Sequence, residues 1–327
     1  MPALLVGAAM LAFSGVTGCS PAGGGSPAGS GGVSGSGGRS PGSGGASTGG
    51  RGGASVATGG APSSGGAPGS GGNLGSGGAP TGGNEGGSGG AGGRAFGVTP
   101  FFTEDFEGGT VGRQPSGWDN FIAYVKNASN PQGDTLALVD DSQKHGGTKS
   151  VHFHGGGSPA MLTRSLPAGT NKLYVRAFFY LSRQLGMNPG ANHETLLGIR
   201  KGVGGANDEV RFGEIKGVIG TNEVPTDNIS PKMAQWGMGP VVAAKRWACI
   251  EVAFLADQPQ HVLQAWADGV MVHSITAPDQ WQNGVMPMNW MAGKFVEFIV
   301  GWQSFSNANA DVWMDDLVLS TGPIGCN

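Results

Sequence analysis

The chain has 327 residues, 66 of them Gly, with 13% charged residues and a formal net charge of −3. Residues 20–94 contain no aromatic side chain, and their only charges are Arg39, Arg51, Glu85 and Arg94. Such a stretch cannot bury enough apolar surface to offset chain entropy, which excludes a packed domain there. Without those three arginines and one glutamate, 16 basic residues face 21 acidic ones, a charge near −5. That excludes nucleic acid or an anionic membrane surface as the main partner of the rest, but leaves room for a local basic groove fitted to an acidic polysaccharide.

The chain opens with Pro2–Ser14, an apolar run too short to span a bilayer. It leads into Val16-Thr17-Gly18-Cys19, which resembles the lipobox of bacterial lipoproteins, where the cysteine is lipidated and becomes the first mature residue. No Lys or Arg precedes the run, a departure from the usual export signal, and an ordinary cleaved signal is the alternative. Residues 1–19 are therefore expected to be a signal peptide with lipid on Cys19. Ser20 behind it resembles the outer-membrane rule, giving a cell-surface protein that meets the membrane only through its lipid. Residues 20–97, with their repeats of Gly-Gly-Ala-Pro and Gly-Ser-Gly-Gly, are expected to form a disordered tether averaging about 45–50 Å end to end.

Residues 98–327 break into short β-rich runs separated by Gly, Pro, Asn and Asp. These are Phe101–Glu107, Phe121–Val125, Thr135–Asp140, Ser150–His154, Leu173–Leu181, Glu194–Arg200, Glu209–Ile215, Trp247–Leu255, Val262–Ala267, Met271–Ile275, Val296–Gln303 and Val312–Leu319. No window carries a long helical pattern, so the fold class expected is all-β, a two-sheet jelly-roll sandwich. Alternation puts Ile250, Val252 and Phe254 on one side of their strand and Trp247, Cys249 and Glu251 on the other. Leu263 and Ala265 face the core, with Gln264 and Trp266 turned away; Leu173–Leu181 is bulky on both faces, with Leu173, Val175, Ala177 and Phe179 on one and Tyr174, Arg176, Phe178 and Tyr180 on the other. Tyr174, Arg176, Glu251, Gln264 and Trp266 make a candidate sugar-binding set: rings cover the apolar faces of pyranoses, and amide, guanidinium and carboxylate groups bind hydroxyls. The competing reading is half-buried sheet residues that satisfy one another. Lipidation of Cys19 leaves Cys249 and Cys326, either as a disulfide closing a loop of roughly 77 residues or as two buried thiols.

Several short motifs then occur in a familiar order: Asp105-Phe106-Glu107-Gly108, Tyr174-Val175-Arg176-Ala177, Asn192-His193, Val210-Arg211-Phe212-Gly213, Thr226-Asp227-Asn228, Cys249-Ile250-Glu251, Gly301-Trp302, Trp313-Met314-Asp315-Asp316 and Gly325-Cys326. Together they resemble the Cip1-like core domain, a concanavalin-like jelly roll related to glucuronan and alginate lyases. The resemblance implies a structural Ca²⁺ joining the first and last strands, held by Glu107 and Asp315 with backbone oxygens near His145–Gly147. Without it, Glu107 and Asp315 are ordinary strand-end acids. The resemblance also implies a Cys249–Cys326 disulfide and an active cleft of His193, Arg211 and Asp227.

A lyase acting on a uronic acid polymer must neutralise the C6 carboxylate, remove the C5 proton and protonate the leaving oxygen. Arg211 suits the first task, helped by Arg176, and His193 the second. Tyr174 and Tyr180 are candidate acids, and Asp227 orients a partner. Alternatively His193 caps a loop, Arg211 pairs with Glu209 or Glu214, and Asp227 holds a turn. Glu209 and Ile215 depart from the pattern, replacing a His and a Gln. The expectation is a monomeric, secreted, polysaccharide lyase-like protein. A non-catalytic carbohydrate-binding domain and an adhesive surface domain are the rivals.

Overall fold

The computed structural model describes residues 98–202 and 208–326. The expected signal, Cys19 and all of the tether lie outside the described residues. Two antiparallel sheets form the sandwich. The first runs in the order β14 (Val270–Ile275), β13 (Val262–Ala267), β12 (Trp247–Leu255), β7 (Lys172–Leu181), β16 (Ala310–Ser320), β5 (Ser150–Gly155) and β4 (Leu136–Asp140). β1 (Phe102–Glu104) pairs with β16 as well. The second runs β11 (Asn228–Ser230), β10 (Val218–Glu223), β9 (Glu209–Ile215), β8 (His193–Arg200), β15 (Glu297–Ser304), β6 (Ala160–Ser165), β2 (Asp119–Ile122) and β3 (Val125–Lys126). Among the described residues the only helical element is a single 3-10 turn, Met233–Gln235. The molecule is an all-β jelly-roll sandwich.

The period-2 pattern explains the core. On β7, Leu173, Val175, Ala177 and Phe179 are fully buried, while Tyr174, Arg176, Phe178 and Tyr180 are half-buried on the outside. On β12, Ile250, Val252 and Phe254 join the same core, as do Leu263 and Ala265 of β13. The second sheet answers with Leu197, Ile199, Val210, Phe212, Phe298 and Val300. Each of these larger side chains contributes about 2 kcal/mol of burial.

β12 is buried on its outer side too. The segment after β16 crosses it, fixed by the Cys249–Cys326 disulfide and by Glu251, whose carboxylate accepts the Ile324 N–H (2.9 Å) and the Gly325 N–H (2.8 Å).

Several strands differ from the sequence expectation. Phe101–Glu107 shortens to β1, because Phe106 leaves the extended region (φ 58°). Phe121–Val125 divides into β2 and β3, because Ala123 and Tyr124 (φ 49° and 67°) turn the chain into a hairpin. β6, β10 and β11 are additional. β10 and β11 are buried throughout and β6 over its first four residues, so none shows alternation, and β10 reads Val-Ile-Gly-Thr-Asn-Glu, which looks like a turn.

Candidate functional site

On β9, Val210 and Phe212 point into the core, so Glu209 and Arg211 stand on the outer side of the second sheet. Register places Arg211 beside Asn222 of β10 and Gly198 of β8. His193 begins β8, next to a bulge between Thr195 and Leu197. The strands approach closely there: a Cβ on Gly213 would lie 1.8 Å from the Glu194 carbonyl oxygen, so only glycine fits.

These strands bring the three cleft residues together. His193 Nδ1 lies 3.9 Å from Asp227 Oδ1. The His193 ring centroid is 6.0 Å from that of Phe305, and the Arg211 guanidinium lies 5.3 Å from the same ring. Asn222 Nδ2 donates to Asp227 Oδ1 at 2.7 Å, which fixes the carboxylate beside the imidazole. Burial lowers the His193 pKa, with Lys216 and Arg211 acting in the same sense and Asp227 opposing them. The imidazole is therefore neutral at pH 7 and able to take a proton.

Arg211 also makes an ion pair: its Nε donates to Glu209 Oε2 at 2.6 Å. Glu209 Oε1 accepts from Arg200 Nε at 2.7 Å, Arg200 Nη1 donates to Glu297 Oε2 at 2.8 Å, and Lys126 Nζ donates to Glu297 Oε1 at 2.7 Å. Glu209, the departure noted in the sequence, is thus the bridge that sets two guanidiniums on one face. Glu214, the other partner considered for Arg211, is fully buried and accepts instead from Asn188.

Phe305, Asn222 and Lys216 were not anticipated. Lys216 donates to Asn192 Oδ1 and lies 5.7 Å from the Trp236 ring. Its sequence signal is the Lys-Gly pair between Ile215 and Val218, a two-residue hairpin connection.

The other residues lie elsewhere. Tyr174 and Tyr180 stand on the outside of β7, in the first sheet. Two packed sheets are about 10 Å apart, so the whole sandwich separates both tyrosines from His193, and neither serves as its acid. Arg176 is on that far side too and cannot assist Arg211. Its guanidinium lies 5.3 Å from the Phe178 ring. Tyr174, Glu251, Gln264 and Trp266 do come together, around a groove of about 420 Å³ closed by Pro323, Gly325 and Cys326. Glu251 is there as the clamp on the crossing segment: both its oxygens are taken by backbone N–H groups.

A cavity of about 670 Å³ opens where β10 and β11 face β14, lined by Val218, Pro231, Lys232, Val272, His273 and Gln280 among others. Its buried His273, 3.1 Å from Thr221 Oγ1, is pushed down to about 4 by burial. No sequence motif marks it.

The residues expected to hold Ca²⁺ meet where β1 and β5 share the edge of β16, at the bulge of Asp315 and Asp316. Asp315 Oδ2 accepts the His145 and Gly146 N–H groups at 2.9 and 3.0 Å. Glu107 Oε1 accepts those of Thr148 and Lys149 at 2.7 and 2.8 Å. The Lys149 ammonium donates to the Glu107 and Gly109 carbonyl oxygens, both at 2.8 Å. Calcium takes six to eight oxygens. Here the loop turns N–H groups toward the acids, an ammonium takes two carbonyls, and the His145 imidazole bonds Asp316 and stacks on Phe178. Among the described residues no group of three or more His, Cys, Asp and Glu is placed to hold a metal. This donor arrangement does not fit Ca²⁺, and Asp315, pushed up to about 6 by burial, is met by backbone donors instead.

The family described as "Polysacc_lyase-like: Cip1-like, core domain" matches residues 114–322. Among solved structures, the cellulose induced protein Cip1 aligns with 21% identity and a TM-score of 0.50, covering 69% of this chain and 100% of that one. An endo-β-1,4-glucuronan lyase from the fungus Trichoderma reesei aligns with 15% identity and a TM-score of 0.43, over 68% and 96%. The T. cruzi calreticulin globular domain gives 10% and 0.44, over 68% and 88%. No curated protein matches the chain.

Proposed function

The chain belongs to the Cip1-like family of polysaccharide-lyase-like domains, and from that premise we propose that it cleaves a uronic acid-containing glycan by β-elimination, displayed at the cell surface by lipid on Cys19. The gathering of His193, Arg211 and Asp227 around Phe305 carries this reading. In the proposed reaction Arg211 pairs with the C6 carboxylate and stabilises the negative charge that develops there as the C5–H bond breaks. Neutral His193 takes the C5 proton. The electron pair forms the C4=C5 double bond, the C4–O bond breaks, and the leaving oxygen is protonated. Tyr174 and Tyr180 stand on the other sheet and the Tyr124 hydroxyl donates to the Gly157 carbonyl oxygen, so the imidazolium itself returns the proton, which requires both groups on one face of the sugar. Asp227 orients and supports the imidazolium, and the Phe305 ring walls the cleft.

The Glu209–Arg211 ion pair favours a second reading, a cleft that binds acidic glycans without cutting them. One experiment separates the two. The purified chain is mixed with glucuronan or alginate, and the ultraviolet absorbance of unsaturated uronate is followed. Cleavage that falls at least about 100-fold in Arg211→Ala and in His193→Ala supports the lyase. No absorbance change, with retardation still seen in polysaccharide gels, leaves the binding reading. No retardation removes both.

A further inference from the structure

We infer that the groove on the outer side of the first sheet is a second, non-catalytic glycan site, and that it takes a neutral pyranose segment rather than an acidic one. It is separate from the cleft: its residues come from β7, β12, β13, the turn at Gly269 and the segment after β16, while those of the cleft come from the opposite sheet and its loops. Its size, about 420 Å³, is within the range of small-ligand sites. Its chemistry is that of a sugar platform. Trp266 offers a half-buried ring, Gln264 stands two residues before it on the same strand, and Tyr174 stands opposite Gln264 across Ala253. Among the described residues no hydrogen bond is made by the Tyr174 hydroxyl or the Gln264 carboxamide, so both remain for sugar hydroxyls.

Charge decides the class of ligand. The one ionisable acid in the groove is Glu251, and both its oxygens already accept N–H groups from the crossing segment. No Lys or Arg lines the groove, and Arg176, beside Glu251 in register, lies 5.3 Å from the Phe178 ring with its charge already offset by Glu251 and Asp316, so the desolvation of a uronate carboxylate is poorly compensated there. A neutral hexose loses only hydroxyl hydration, which the amide and phenol replace, and its apolar face covers the indole. The far wall, Pro323, Gly325 and Cys326, is held in place by the Cys249–Cys326 disulfide together with the Glu251 carboxylate, so opening that bond loosens one side of the groove.

The test is isothermal titration of the full chain with cellohexaose, laminarihexaose and mannohexaose as neutral probes. At least one binds. Trp266→Ala weakens it by about tenfold or more, Gln264→Ala weakens it less, and Trp266→Tyr restores part of the loss. Arg211→Ala leaves it unchanged, and Cys326→Ser weakens it. Matching melting temperatures of the Trp266 variants show that the loss is local. The inference is overturned if no neutral hexasaccharide binds, if binding survives Trp266→Ala, or if Arg211→Ala abolishes it. Lyase activity, lost or kept, is read independently in the uronate assay.

Discussion

The two outer faces of the sandwich are built from the same alternating strands but do opposite things with them. The second sheet presents a chain of charges, Lys126–Glu297–Arg200–Glu209–Arg211, with Phe121 and Phe305 beneath the guanidiniums. The first presents rings: Tyr180 touches Trp247 and Trp313 edge to face, and His152 stacks on Trp313 at 4.3 Å. Charge selects a carboxylate and stabilises one that gains charge; rings select apolar sugar faces and are indifferent to reaction progress. The contrast teaches that polar and aromatic residues on outward positions do not make one site merely because they alternate out of one core.

Breaking the charged face should have the largest effect. Glu209→Ala leaves Arg200 and Arg211 without their shared carboxylate in a mostly buried setting, and urea unfolding should show a loss of about 3–5 kcal/mol. The neutral groove of that variant, where still folded, should bind as before. Next, Cys326→Ser should cost about 2–4 kcal/mol by opening a 77-residue loop, and should loosen the aromatic side while leaving uronate chemistry intact. If both variants damage both faces equally, the faces are not independent.

Between the sheets, His273 should titrate the same way in either variant. Its folded value of about 4 lies below the ordinary 6.5, so its contribution is whole above pH 6.5 and is lost as pH falls toward 4. That amounts to about 3 kcal/mol, visible as a falling melting temperature and flattened in His273→Gln. The smallest effect is a shift in a profile. Burial sets the acid limb of activity below 6.5 through His193, and Asp227 opposes it. Asp227→Asn should move that limb to still lower pH, whereas Tyr174→Phe, on the far face, should not move it.

The core was legible because Leu173–Leu181 and Trp247–Leu255 alternate cleanly, and period 2 is enough to orient them. The cleft was legible only through the resemblance, since His193, Arg211 and Asp227 have no spacing that marks them. Which sheet each strand joins was not legible at all. Tyr174 and Arg211 look equally outward in sequence, and only pairing order puts them on opposite sides. Glu251 misled because a carboxylate that caps two backbone N–H groups looks, in sequence, like one waiting for a ligand. The acids at the strand ends were legible in the same local way: sequence shows Glu107 and Asp315, but not that the 145–149 loop turns its N–H groups toward them.

β16 lies at the centre of the first sheet, between β7 on one side and β5 with β1 on the other. The chain order therefore leaves a gap in that sheet until residues 310–320 have been made, and β1 waits more than 200 residues for its partner. Folding of the sandwich is a late, long-range event of the slow kind. Any chain made or threaded from its first residue must therefore hold the earlier strands ready, β1 among them, before β16 arrives to join the two halves of the first sheet.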